Sequence, residues 1–269
     1  MPILLSDILP IDNLDAFKIH FARWNNEAQP LEVLARSRAE WRGWQEYYPG
    51  RNDFNRPYIF SLAQFYHEAD TWMFGGIFRV LERHPDRYVV EEMDRGSALI
   101  GRLKLLSPYR SRTTRTFMER HYAQFTVKEI TREPYAGLPF GGFANIDLTF
   151  DELATIVRNE RPDWRGALEA TKGIYLVTDS ATLTRYVGSA HGENGIWSRW
   201  SNYIATGHGG NVELRNLVAR HGVEYCQRHF RFALLEDHRM GTSDDVILAR
   251  EAHWKRVLMA RGEDGLNRN

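Results

Sequence analysis

The chain has 269 residues, with 35 lysines and arginines cancelled by 35 aspartates and glutamates, and 10 histidines. That length accommodates one or two domains with buried cores. The cancelled charge excludes a global positive field, so a polyanionic partner would have to be met by a local basic patch. The single cysteine, Cys226, excludes an intramolecular disulfide and a multi-cysteine zinc site, and reads as a small buried hydrophobe in a reducing compartment. Neither a basic leader nor a run of roughly 20 apolar residues is found, so the expectation is a soluble cytoplasmic protein with no membrane partner.

Residues 12–48 read as helical: Phe17, Phe21 and Trp24 recur at helical spacing, and beyond Pro30 the pattern continues through Leu31, Leu34, Trp41 and Trp44. Residues 49–57, rich in Pro, Gly and Asn, read as a loop. Five β-rich runs follow, at 58–65, 72–80, 88–90, 98–106 and 125–130, and predict a curved antiparallel sheet or small barrel. The run 72–78 is apolar enough to be core. Thr149 is the expected N-cap of a helix over 149–158, with Asp151 and Glu152 in its first turn. Residues 159–172, with Pro162 and Gly166, read as a connection.

Beyond it the order is clearer. Strands are expected at 173–179 and 185–190 around a polar turn, then helices at 196–206 and 212–221 stopped by Gly207 and Gly222. A third strand at 230–235 and a last helix at 244–259 complete a β-β-α-α-β-α order.

Tyr175 and Tyr186 fall on the two strands of the predicted hairpin, where they could share a surface or simply fill a half-buried face. On the next helix Ile196, Trp200 and Ile204 mark the inward stripe, and Arg199 with Tyr203 forms the neighbouring one. An arginine there could be solvated, or could face the charge that builds on a phosphate during cleavage. Glu251 shares the inward face of the last helix with Ile247, Trp254 and Leu258. A carboxylate so placed needs an ion pair, with Arg199 or another arginine, or a metal, for which Mg²⁺ suits a site of one carboxylate, waters and a phosphate oxygen. His253 and Lys255 read as surface residues.

Gly173-Ile174-Tyr175 and Tyr186-Val187-Gly188, followed by Arg199, Tyr203, Glu251 and Asn267, resemble the GIY-YIG nuclease family over about 95 residues. The resemblance implies an α+β fold with a C-terminal GIY-YIG-like domain at 173–269, a linker at 159–172, and an N-terminal helical and β-rich domain at 1–158 for recognition or assembly. It implies a Mg²⁺-dependent endonuclease, with Mn²⁺ as the alternative ion, that hydrolyses DNA. Tyr175, Tyr186, Arg199, Tyr203, Glu251 and Asn267 would be its catalytic residues, and Glu251 the metal ligand. In that scheme Tyr175 takes a proton from water, which requires nearby positive charge to favour its phenolate. Val187 departs from the isoleucine of the family name. A restriction or defence enzyme cutting double-stranded DNA as a homodimer is the expected role. A repair or mobile-element nicking enzyme, or a binding module without catalysis, are the alternatives.

Recognition of DNA is expected from Arg102, Lys104, Arg110, Arg112, Arg115 and Arg120, which line a phosphate track if they share a face and a solvated basic surface if they do not. The glycine-rich turn around His208 could approach a phosphate or merely stop a helix.

Overall fold

Residues 17–22, expected to be helical, form a strand in the computed structural model, which describes residues 1–260, 266 and 267. The chain divides into two compact units, Met1–Tyr135 and Ala136–Asn269. The first contains α1 (Leu5–Ile8), β1 (Phe17–Ala22), α2 (Pro30–Arg36), α3 (Arg38–Glu46), β2 (Tyr58–Gln64), β3 (Thr71–Arg83), β4 (Tyr88–Met93), β5 (Leu103–Leu106), β6 (Arg115–Phe117) and β7 (Thr126–Ile130). Its sheet runs β6-β1-β2-β3-β5-β7, with β4 also on β3.

Every residue of β1 is buried because strands flank it and both faces of the sheet are covered. Phe17, Ile19 and Phe21 enter one core, while Ala22 enters the other with Leu31, Trp41 and Phe78. A spacing of four is also an even spacing, so the aromatic pattern that suggested a helix equally fits one face of a strand. β1 pairs parallel to β2, so the sheet is mixed rather than antiparallel. A parallel pair needs a crossover, and α2 with α3 supplies it.

The second unit contains β8 (Asp147–Thr149), α4 (Phe150–Arg158), α5 (Pro162–Glu169), β9 (Thr171–Asp179), β10 (Arg185–Ala190), α6 (Gly195–Thr206), α7 (Val212–His221), α8 (Val223–His229), β11 (Phe230–Arg239) and α9 (Asp244–Val257). Its antiparallel sheet has the order β10-β9-β11-β8. Thr149 caps α4 as anticipated, its Oγ accepting from the Glu152 amide at 3.2 Å while Glu152 Oε2 accepts from the Thr149 amide at 2.7 Å. Residues 159–172 are not a bare connection. They hold α5, whose Trp164 and Leu168 are buried in the core of this unit. α8 is a further addition to the expected order.

The small sheet is covered on both faces. Tyr175, Val177 and Tyr186 point to the side that packs on Trp200 and Tyr203 of α6. Ile174 and Val187 point to the other side, against Ile247 of α9. This alternation follows from the period of two along β9 and β10. It sends α6 and α9 to opposite faces, with β10 as an outer strand. Among the described residues no helix is long and apolar enough to cross a membrane.

Candidate active site

Two glycines make the hairpin geometry possible. A Cβ on Gly188 would lie 2.5 Å from both Cζ and Oη of Tyr175, its cross-strand partner, and 2.8 Å from the Tyr186 ring. Glycine therefore lets the Tyr175 ring lie flat across β10. A Cβ on Gly173 would meet the Glu236 carbonyl at 2.6 Å and Ile196 at 2.9 Å, where β11 bulges past β9.

Tyr175 and Tyr203 are fully buried, with hydroxyls 3.3 Å apart. Arg199 donates from Nε to the Tyr175 hydroxyl at 2.7 Å and from Nη1 to the Gly209 carbonyl at 2.7 Å. Gly209 has a positive φ of 53°, and a Cβ there would strike the Tyr203 ring at 2.7 Å, so the glycine turn closes directly onto the aromatic pair. Nη2 of Arg199 takes no partner among the described residues and is available at the cleft that Arg199 lines. Within this turn His208 accepts from the Gly210 amide at 2.9 Å through Nδ1. Burial and then Arg215 lower its pKa, which withdraws charge from a residue expected to meet phosphate.

Around the end of β10 lies a cleft of about 740 Å³, lined by Tyr186, Ser189, His191, Ser198, Arg199, Asn202, Leu248 and Glu251 among others. Helices on opposite faces of the sheet thus contribute to one hollow, Arg199 from α6 and Glu251 from α9, because both reach past the outer strand. Tyr175 and Tyr203 do not line it. Burial, reinforced by Tyr186, pushes the Tyr175 phenol well above its ordinary range, against the opposing Arg199 charge. The phenolate expected from neighbouring positive charge is therefore not favoured. As a neutral phenol, Tyr175 accepts from Arg199 and positions it. The tyrosine facing the cleft is Tyr186.

α9 is anchored by Glu236, which accepts from Trp254 Nε1 at 2.9 Å and from Arg250 Nε at 2.9 Å. These donors, with His238 and led by Arg250, outweigh burial and draw the Glu236 pKa to about 2. One turn from Trp254, Glu251 lies on the inward stripe, and its partner is neither Arg199 nor another arginine. Lys255 Nζ pairs with Oε1 at 2.8 Å, and the Ser189 hydroxyl donates to Oε2. Lys255 is thus a half-buried partner of Glu251 rather than a surface residue, and His253 is also half-buried.

Among the described residues no group of three or more His, Cys, Asp or Glu could hold a metal. A single carboxylate still fits Mg²⁺, which keeps waters and takes phosphate oxygens in place of a protein cage. Mn²⁺ could use the same donor. Asn267 has another role. Its Oδ1 accepts from the Val187 amide at 2.9 Å and its Nδ2 donates to the Val187 carbonyl at 2.8 Å. Both amide atoms are thereby committed to the outer edge of β10, which would otherwise carry unpaired backbone groups.

Sequence reasoning missed Ser189 and Lys255. Alternation along β10 places Ser189 on the Val187 side, towards α9, and the i, i+4 relation pairs Lys255 with Glu251.

The basic track expected in the first unit is not continuous. Lys104 is buried between Glu68 at 2.7 Å and Glu129 at 2.9 Å, and Arg115 is buried with Tyr47 and Asp53 as partners. Three strands separate β5 from β6. Arg102 donates to the Thr131 and Ala98 carbonyls, and exposed Arg110 pairs with Asp70 at 2.6 Å. Arg112 and Arg120 are exposed and make no ion pair among the described residues.

Two solved structures are similar to part of this chain. The catalytic domain of the homing endonuclease I-TevI is 26% identical, with a TM-score of 0.29, over 36% of this chain and 98% of that one. A glutamate-to-alanine variant of the same domain, described as an intron endonuclease, is 25% identical with a TM-score of 0.28, over 36% of this chain and 92% of that one. No family model matches the chain. Nor does any curated protein.

Proposed function

We propose that the cleft at the end of β10 is the active site of an endonuclease that hydrolyses DNA phosphodiester bonds. The observation that carries this reading is the convergence of the Arg199 guanidinium, the Tyr186 phenol and the Glu251 carboxylate, from three elements, on one hollow. A fixed cation, a neutral hydroxyl and an oxygen donor for a hard metal suit a phosphate.

Arg199, held at two of its nitrogens by Tyr175 and Gly209, would present Nη2 to the oxygens on which charge develops. Tyr186 would orient the attacking water or a phosphate oxygen. Tyr175 and Tyr203 would keep the guanidinium in place from below. Ser189 would fix the carboxylate of Glu251, the residue that would hold Mg²⁺ or Mn²⁺. The chemistry that an ion held by Glu251 would supply is Lewis-acid polarisation of the phosphate and stabilisation of the leaving oxygen.

A restriction or defence role on double-stranded DNA is the finer reading, with a homodimer supplying one active site per strand. The buried free thiol of Cys226 suits a reducing cytoplasm. Recognition of DNA falls to the first unit, Met1–Tyr135.

The test is incubation of supercoiled plasmid with Mg²⁺ or Mn²⁺, comparing the wild type with Glu251→Ala and Arg199→Ala. Discrete linear products from the wild type, and at least about a hundredfold loss in either variant, are expected. Nicked circles would favour a repair or mobile-element enzyme, and binding without cleavage a regulator. Undiminished cutting by Glu251→Ala would remove the metal assignment.

A further inference from the structure

We infer that Lys18, Arg56 and Arg120, gathered on the Phe117 ring at the β6 edge of the first sheet, form a binding site for a nucleic-acid backbone phosphate. The inference rests on DNA being the substrate, and it places recognition at residues outside most of the basic track read from the sequence.

Lys18 and Phe117 are directly paired across β1 and β6. Lys18 Nζ lies 3.9 Å from the centroid of the Phe117 ring, the Arg56 guanidinium carbon 4.4 Å and the Arg120 guanidinium carbon 4.8 Å. Three cations thus share one half-buried ring, a repulsive arrangement unless anions balance it.

The nearby carboxylates do not complete that balance. Glu119 is engaged by both Arg56 terminal nitrogens, at 2.7 and 3.0 Å. Asp53 pairs with Arg51 at 2.8 Å and Arg115 at 3.7 Å, and Asp15 acts on Arg56 only through space. Lys18 and Arg120 are left over. Lys18 is only 6% exposed, yet its ammonium has no hydrogen-bond acceptor among the described residues. Burial lowers its pKa, with Arg56 and Arg120 adding to the shift and Asp53 and Glu119 opposing it through space without reaching hydrogen-bond distance.

The Lys18 side chain is buried but its ammonium keeps contact with solvent, so what it lacks is a protein acceptor, and a cation–π contact of order 1 kcal/mol replaces little of one. An oxyanion seated between Lys18 and Arg120 would supply the missing acceptors and relieve the repulsion. β1 is held between β2 and β6, so Lys18 is already ordered before a ligand arrives, which reduces the entropy lost on binding. β6 is the outer strand of its sheet, and Arg120 is exposed beyond it, so a long polymer can reach the cluster.

The experiment uses the full chain without divalent ions, so that no cutting occurs, and follows anisotropy of a fluorescent mixed-sequence duplex from 50 to 200 mM KCl. Lys18→Met, Arg120→Gln and the double variant are compared with the wild type. Arg132→Gln serves as a control, an exposed arginine just past β7 at the opposite edge of the sheet. Each single variant is expected to lower the slope of log K against log salt by about one, and the double variant by about two, with the control unchanged. Unchanged slopes in both single variants, while the wild type binds, would overturn the site and leave the nuclease reading standing. If Lys18→Met does not fold, exposed Arg120→Gln carries the comparison. Inorganic phosphate is the second probe. If it raises the wild-type melting temperature but not that of Lys18→Met, and the DNA slopes are unchanged, the site takes free oxyanions and the nucleic-acid assignment falls. Failure of the wild type to bind duplex at any salt overturns both the site and the choice of substrate.

Discussion

The ammonium of Lys255 lies 2.8 Å from Oε1 of Glu251, one helical turn along α9, so the carboxylate offered to a metal already has a cation beside it. The Ser189 hydroxyl holds the other oxygen. Under the proposed assignment a divalent metal would have to displace or share Lys255, and the ion pair would set a threshold for metal binding. Lys255→Met keeps the aliphatic stem and removes the charge. A partly buried pair of this sort contributes on the order of 1 kcal/mol, so Mn²⁺ affinity without DNA should tighten about fivefold. Electron paramagnetic resonance of free Mn²⁺ reads this without reference to activity, with Glu251→Gln as the non-binding control. Equal or weaker Mn²⁺ binding by Lys255→Met would show that the lysine does not compete.

The Tyr175 ring crosses β10 only because residue 188 has no side chain. In Gly188→Ala the new methyl would lie 2.5 Å from Tyr175, whose ring is fully buried against Trp200 and Tyr203 and has little room to retreat. Overpacking of this kind costs about 1–3 kcal/mol. A urea titration should show a lower midpoint, and cleavage should fall further than stability does, because displacing Tyr175 also displaces Arg199. A midpoint equal to that of the wild type would mean that the ring does not lie over Gly188.

Physical reasons separate what the residues revealed from what they concealed. The β9–β10 hairpin was legible because its glycines and tyrosines alternate around a polar turn, and α9 because Ile247, Glu251 and Trp254 share a stripe. β1 was not, since Phe17 and Phe21 are four apart and fit either period. β6 was hidden because Arg115-Thr116-Phe117 reads as polar loop until Lys18, Ile19 and His20 are seen across from it. Burial of Lys104 and Arg115 depends on Glu68 and Asp53, far away in the chain, and no local pattern encodes such pairs. The position of the Tyr175 hydroxyl was equally out of reach, because alternation fixes which face a side chain takes but not how deep α6 presses onto it. A residue named by its motif as a base lies, in this packing, behind the arginine and outside the cleft lining.

His20 gives the fold a pH dependence of its own. It is buried on β1, its Nδ1 2.7 Å from Gln45 Oε1, its ring edge-on to Phe54, and Arg115 opposite. Burial, then the Arg115 charge, depresses its pKa to about 3, with the Gln45 hydrogen bond opposing. An unfolded chain accepts that proton at about 6.5, so protonation favours unfolding below this value. The contribution is complete above pH 6.5 and is lost as pH falls towards 3, at up to about 1.4 kcal/mol per unit. His121 and His208 are depressed as well and act in the same direction. Glu236 and Asp163, with values of about 2, lose their contributions only below the ordinary carboxylate range, so pH 7 to 5 isolates the histidines. Over that interval the wild type should lose about 2 kcal/mol more stability than His20→Asn, measured by urea unfolding at each pH. Parallel loss in the two proteins would place the sensitive group elsewhere. A larger loss in the variant would contradict the sign, and with it the neutral, buried imidazole beside Arg115.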